Sequence, residues 1–486
     1  MSGPAPGPLE QYLLTPLAEL AEASKSDPWD AVVVGGGIAG LSAARVLVER
    51  GRRVAVLDAG PLVLLTHTST TDLRFDNAGL GRLRKLIEYS PRDAAGGDFG
   101  HLISCIGGRA LFWNGAAPRF APEDFAAWPL SRQDLDPYYE WGERDLRVNT
   151  NFGNGGLGQT VVRLLRETGL PAEPGPYAVD TRATVEGWVG GTVGNPIAPL
   201  LRTNLLTAEE PRLRIASHSF ARRILLGGNG EAAGVAVGDL QGSGEQELQA
   251  RSVILAAGGF ESVRLAMASK LPDRSGLLGR RIADHLFARA YHLVPPALYD
   301  PETAEAAIVA VRAGESRKYQ LEIHMPSDDL FMQSEYSEWK PASSRPYAAM
   351  VRSFAAVPPR DSSFIELGKG EGPGDYVVHL EYDDEDRALL DAMAVGIEGV
   401  GTALRATVGE VERFSPGDSH HEGGGMMMGS DPGTSVTDPF GRVHAVPNVV
   451  VADAAAWPTV SPANPCLTIA SLARRQAEQL DRDLGS

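Results

Sequence analysis

Residues 419–432 read SHHEGGGMMMGSDP. Two adjacent histidines, three glycines and three methionines in one short run invite three readings. A neutral imidazole titrates close to working pH and can act as a general base. Imidazole and thioether sulfur together are soft ligands suited to Cu(I). A glycine run can also simply carry the backbone close past a neighbouring group. Consecutive residues seldom converge on one ion, so no metal site is expected, and Met426, Met427 and Met428 read as packing.

A second cluster points more narrowly. Gly35-x-Gly37-x-x-Gly40 follows the apolar run DAVVV and opens the helical pattern IAGLSAARVLVERG, so Ile38 and Ala39 start a helix. The first glycine allows the tight turn, the second lets a pyrophosphate approach the backbone, and the third lets helix pack on strand. The helix N-terminus then faces the phosphates. Asp58 ends the next strand, RRVAVLDAG, about 20 residues on, where an acid can hold the adenosine ribose hydroxyls. The chain is expected to bind a dinucleotide. The motif lies near the N-terminus, and VILAAGG at 253–259 repeats the pattern of strand running into glycines. Both favour FAD over NAD.

These residues need elements to position them. Residues 29–60 read as a βαβ start. The stretch to about 130 is glycine-rich and irregular, and 131–200 reads as loop-rich, with NTNFGNGGLG as a turn cluster. Strand signals return over 212–259. From 288 to 382, short strand-like runs alternate with turns, as in YQLEIHMP and YAAMVRSFAAVP, which predicts an antiparallel sheet. A helix is expected near 384–406. After it come glycine loops, the strand NVVVADA and a C-terminal helix starting near Cys466. The fold class is α/β: a Rossmann-like FAD-binding domain in three pieces (29–130, 201–287 and 416–486), an N-terminal extension (1–28), and an inserted substrate-binding domain on an antiparallel sheet (131–200 and 288–415).

The totals set limits. At 486 residues the chain exceeds one ordinary domain. Its formal net charge of −17 argues against nucleic-acid and anionic-membrane partners, which require a basic face. Two cysteines outside any CxxC spacing give no disulfide framework. No signal-peptide pattern opens the chain and no uncharged apolar run reaches the ~20 residues that span a bilayer. A cytoplasmic protein is expected.

With the closing block included, the chain resembles the glucose-methanol-choline (GMC) family of FAD-dependent oxidoreductases. Four stretches carry the resemblance: VVVGGGIAGLSAARVLVERGRRVAVLDAG, GGRALFWNGAAPRF, VILAAGGFESVRLAMAS with LLGRRIADH after it, and the long run from HHEGGGMMMGSDP to NPCLTIASLA. The last is similar to the family's H-x-x-G…M-G…N-P-x-L-T signature. Details of the second stretch are similar to the pyranose-oxidase-like and glycoside 3-oxidase branch. Residues 131–200 and 288–415 carry almost no signature, so substrate choice is expected there.

The resemblance implies a mixed architecture of the GMC and p-hydroxybenzoate hydroxylase type. It implies that His421, not His420, is the catalytic base, with Asn464 as its amide partner in front of the flavin. An amide cannot take a proton but can orient an alcohol oxygen. Gly108, Arg109, Trp113, Asn114 and Gly115 correspond to the loop against the flavin. Ala221, Ala257, Gly258, Asp453, Ala454, Pro465 and Thr468 correspond to further cofactor contacts. Relatives with covalent flavin carry Ser-Thr-His-Trp where this chain has Ala110-Leu111-Phe112-Trp113, which implies non-covalent FAD. His285, in ADH, reads as structural, and Cys105 as a small core residue. The activity implied is oxidation of a secondary alcohol, most simply of a sugar or glycoside, with dioxygen or a quinone-like compound as electron acceptor. The alternatives are tailoring of a non-sugar metabolite, an FAD monooxygenase, and a non-redox lyase on the same fold.

Overall fold

Ala31–Val34 (β1) carries only apolar side chains and is buried along its whole length. A strand of that kind belongs inside a parallel sheet with both faces covered. The other elements that position the site follow in chain order. They are helix α1 (Ile38–Glu49), β2 (Val54–Leu57), α2 (Arg132–Leu146), β3 (Ala172–Pro174), β4 (Leu213–Ala216), β5 (Val253–Leu255), α3 (Gly259–Ala268), β6 (His285–Val294), β7 (Ala307–Val311), β8 (Tyr319–Met325), β9 (Tyr347–Ala356), α4 (Asp384–Ala403), β10 (Glu412–Arg413), β11 (Arg442–Val443), β12 (Val446–Val451) and α5 (Cys466–Gly485). The computed structural model describes residues 8–71, 73, 77–180, 192–207, 211–242, 244–295, 297–298, 306–325, 347–369 and 372–485. Parts of the segments expected to select substrate, including 181–191 and 326–346, lie outside the described residues.

Two six-stranded sheets organise the chain. The first has the order β4-β2-β1-β5-β12-β11, parallel except for the edge strand β11. The second has the order β10-β6-β9-β8-β7-β3 and is antiparallel throughout. The architecture is the expected one, a Rossmann-like unit combined with an antiparallel sheet. The C-terminal helix α5 packs on α1 and α2, so the last residues of the chain cover the first βαβ unit.

One stretch differs from the sequence reading. The loop-rich expectation for 131–200 is corrected by α2 and by a further helix, Gly156–Glu167. Ser131 and Asp134 cap α2 reciprocally, and Leu135, Tyr139, Gly142 and Leu146 form its buried face. Pro137 inside the helix and the polar residues around it mask that stripe. NTNFGNGGLG likewise runs through a short helix into the longer one. At the N-terminus, the helix Leu17–Ser26 is tied in: it packs on the strand Glu245–Gln249, and Trp29 Nε1 donates to the Leu20 carbonyl.

The first glycine turn has a measurable tightness. Gly35 adopts φ +107°, in the left-handed region that favours glycine. A β-carbon on Gly40 would stand 1.9 Å from the Gly35 carbonyl oxygen, so α1 sits directly on the turn. Gly40→Ala is therefore expected to cost about 1–3 kcal/mol through overpacking. Gly399→Ala, on the exposed side of α4 with nothing within 4 Å of the new carbon, is expected to gain about 0.5–1 kcal/mol. Denaturant unfolding of the two variants beside wild type checks the contrast.

Candidate active site

The C-terminal ends of β1, β2, β5 and β12 open onto a cavity of about 690 Å³, whose opposite wall is one face of the antiparallel sheet. Ligands of open α/β sheets bind at that end of the strands. Gly35, Gly37, Ile38, Ala39 and Asp58 line the cavity on the nucleotide side, together with Ala221, Ala257 and Gly258. Gly40 does not, because its place is under the helix. The Asp58 carboxylate accepts the Gly36 and Gly60 N–H groups, each at 2.8 Å, and so holds the turn shut. Burial pushes it up to about 6 against those bonds. The Ala221 carbonyl is taken by Arg264 Nη2 at 2.7 Å.

Gly108, Arg109, Trp113, Asn114, Asp453, Ala454, Pro465, His421 and Asn464 line the remainder. Asn114 Oδ1 accepts the Ala116 N–H at 3.0 Å, while its Nδ2 is buried with no partner. Asp453 ties the end of β12 to the loop and helix after β5: it accepts from Gly258 N–H, Ser262 Oγ and Ala455 N–H. Gly115 stands behind the wall near Val193 and Tyr177. Thr468 is fully buried and its hydroxyl pairs with Tyr139 at 2.8 Å. Neither of these two, both expected to touch the cofactor, is among the residues that line the cavity. Met426 and Met428 are buried away from it, their N–H groups donating to Ala455 and Ala456 carbonyls.

His421 is held from several sides. Its N–H donates to Ser419 Oγ at 3.1 Å, and Ser419 in turn bonds Asp284. Its Nδ1 lies 2.9 Å from Nδ1 of His285, and its ring centroid 5.2 Å from that of Phe354. His285, expected as structural only, is thus in direct contact with His421. Burial, and then His285, His420, Arg109 and Arg352, push His421 well below the usual imidazole range. His420 has φ +59°, uncommon for a residue with a β-carbon, and its carbonyl accepts Arg109 Nη1 at 2.7 Å. Arg109 also pairs with Glu422.

The opposite wall was not read from the sequence. Register across the antiparallel sheet places Phe287, Phe354 and Gln320 in one row, Arg289, Arg352 and Glu322 in the next, and Tyr291, Met350 and His324 in the third. Opposed residues in a sheet share a face. The signal was there, since Gln320, Glu322 and His324 alternate with Leu321, Ile323 and Met325. Such alternation ordinarily puts the polar set in water. Here both sets are buried. Gln320 Nε2 donates to Asn464 Oδ1 at 2.9 Å and to Glu322 Oε1 at 3.1 Å, and Arg352 Nη2 donates to Glu322 Oε2 at 2.6 Å. Glu322 can only accept, so Gln320 must present its NH2, and Asn464 must present its oxygen to Gln320. The free end of Asn464 is a donor.

Comparison with known proteins follows the same lines. Residues 105–287 and 359–473 match the two family profiles described as GMC oxidoreductase, and residues 33–79 match an NAD(P)-binding Rossmann-like domain. The chain is 28% identical to a paromamine 6′-oxidase of Streptomyces fradiae over 94% of its length and 92% of that relative's. It is 26% identical to a C-glycoside 3-oxidase of Microbacterium trichothecenolyticum over 94% and 98%. Among solved structures, it is similar in fold to a formate oxidase of Aspergillus oryzae RIB40 studied for modification of its FAD. That match has a TM-score of 0.69 and 12% identity, over 94% of this chain and 99% of that one.

The buried pair behind Asn464 is open to test. Burial works against the Glu322 carboxylate, but Arg352 and His324 outweigh it and hold the group below its usual range. Glu322→Ala would strand the Arg352 guanidinium inside the protein, at a cost of about 3–5 kcal/mol. Replacing both residues by methionine is expected to recover most of that loss in denaturant unfolding.

Proposed function

The chain belongs to the GMC oxidoreductase family, and on that premise we propose that it oxidises a secondary hydroxyl of a sugar or glycoside to a keto group. FAD is the cofactor the family implies, and the residues fit it. The cavity runs from the glycine turn at Gly35 to His421, and Asn114, whose buried Nδ2 has no hydrogen-bond partner among the described residues, is one of its lining residues. Gly35, Gly37, Ile38, Ala39, Asp58, Asn114 and Asp453 would hold the cofactor. Bound FAD would supply the hydride acceptor.

The observation that carries the reading is the pairing of His421 with Asn464 on the same cavity. The imidazole takes the hydroxyl proton. The outward amide hydrogens of Asn464 hold the alcohol oxygen, and the rows at Phe354 and Arg352 close the space around the substrate. The glycoside oxidases named above support a sugar substrate. Their names carry two positions, 3 and 6′; in a hexopyranoside the ring position 3 bears a secondary hydroxyl and position 6 a primary one, so NMR of the product, a ketone or an aldehyde, tests the secondary-hydroxyl reading. Phe112 on the cavity wall, where covalent relatives carry histidine, supports non-covalent FAD. Electrons then leave to dioxygen or a quinone-like acceptor. The free thiols Cys105 and Cys466 suit a cytoplasmic setting.

Anaerobic titration with sugars, glycosides and unrelated alcohols tests this. Bleaching of the bound flavin by a sugar or glycoside is the expected result. Bleaching by NAD(P)H and by no alcohol would falsify it, and bleaching by non-sugar alcohols alone would move the substrate class. Acid precipitation should release the FAD intact into the supernatant.

His421→Ala should keep FAD and slow bleaching by roughly 10²–10⁴-fold. The His421 ring, held well below 6.5, remains neutral as pH falls from about 8 to about 6, so the bleaching rate should not drop over that range. A decline with an apparent pKa near 6.5 would count against His421 as the base.

A further inference from the structure

His285 is the first residue of β6 and is 1% exposed. Its Nδ1 meets Nδ1 of His421 at 2.9 Å, the ring centroids lie 4.7 Å apart and the planes cross at 74°. Its backbone is fixed as well: β6 pairs it with Ala356 of β9, and its carbonyl accepts the Tyr382 hydroxyl at 3.1 Å. A nitrogen–nitrogen contact of that length holds one hydrogen. Two facing N–H groups would collide, and two facing lone pairs would repel.

The part proposed for His421 decides which ring donates. A base needs an open lone pair on the nitrogen it presents to substrate. With Nδ1 of His421 turned to His285, that nitrogen is Nε2. A neutral imidazole has a single N–H. Nδ1 of His285 is therefore an acceptor, Nδ1 of His421 is the donor, and Nε2 of His421 is left with the open lone pair. Burial holds both rings below their usual range, so both are neutral near pH 7.

We propose that His285 is a positioning residue for the alcohol oxidation: by accepting Nδ1–H of His421, it keeps His421 in the tautomer whose Nε2 can take the substrate proton. The assignment rests on His421 being the base. Free imidazole side chains favour the opposite tautomer, with hydrogen on Nε2, so the contact reverses an intrinsic preference. It also persists after the reaction. Once His421 carries protons on both nitrogens, the Nδ1–H bond to His285 becomes charge-assisted and strengthens. His285 need not accept a proton at any stage.

The test is the tautomer itself. In protein labelled with 15N-histidine, long-range 1H–15N spectra separate protonated from bare ring nitrogens, and the signals lost in His421→Ala identify that residue. Wild type should show a protonated Nδ1 and a bare Nε2 on His421, with the reverse on His285. His285→Leu should shift His421 toward protonated Nε2 and lower the maximal rate of flavin bleaching on the order of 10²-fold, with little change in the alcohol concentration needed. His285→Asn, whose side-chain oxygen can accept from Nδ1, should retain the wild-type signature and most of the rate.

A wild-type His421 protonated at Nε2 overturns the proposal, as does a His285→Leu spectrum unchanged at His421. If His285→Leu does not fold, the wild-type spectrum decides alone. The expected tautomers in a protein whose flavin no alcohol bleaches would leave this geometry standing and remove the proposed oxidation instead.

Discussion

Glu322 is a carboxylate in the interior, and a carboxylate can only accept. That one restriction sets the direction of every hydrogen bond in front of it. Arg352 satisfies one oxygen and Gln320 the other. Gln320 must then show its NH2 to Asn464, and Asn464 must turn its own NH2 toward the cavity. The sheet makes this possible, because Glu322 stands directly opposite Arg352 in the β8–β9 register. A slip of one residue would rotate the whole polar row to the other face. Wall and site residue are thus specified together.

A second device recurs around the cavity. Asp58, Asp284 and Asp453 each sit at the end of a strand, buried, and each accepts a backbone N–H from a glycine in a neighbouring loop. The partners are Gly36 and Gly60, Gly417, and Gly258 respectively. Burial raises all three toward about 6, so each charge is a cost to the fold. The return is geometric. A loop that must leave room for a ligand cannot be fixed by packing on the ligand side, so it is fixed from behind by a charge that can hold N–H groups at defined angles. Departures from an apolar interior of this kind are expected where a site is built.

What was legible in the sequence follows from range along the chain. The glycine turn, Asp58 and the closing run from His421 to Asn464 are local patterns whose spacing carries their meaning, and they converge on one cavity. Helix α2 was hidden because Pro137 and its polar neighbours obscure a stripe of Leu135, Tyr139 and Leu146 that only α5 explains. Thr468 follows the signature but faces Tyr139, since the first turn of α5 presents only some of its residues to the cavity. The row of Gln320, Glu322 and His324 was visible as alternation and misleading as chemistry, because alternation does not say which face is wet. His285 could not be read at all as a partner of His421. The contact joins β6 to a loop far along the chain, and it exists only once β6 is registered on β9.

The depressed proton affinity of His421 looks at odds with the role of base proposed for it, since a base that stays neutral also holds a captured proton poorly. The same surroundings act on the other partner in the transfer. Arg109 and Arg352, whose positive charge contributes to lowering His421, both line the cavity. A positive field that disfavours imidazolium favours negative charge on a nearby alcohol oxygen, so the hydroxyl becomes more acidic as the imidazole becomes less basic. Proton transfer depends on the difference between the two, which the shared field leaves far less changed than either value. On the proposed role, His421 can then stay neutral across working pH without giving up the driving force for the step. The Arg352 guanidinium is anchored on Glu322 rather than left mobile, which suits that role: a field that is to act equally on both partners has to come from a charge that does not move.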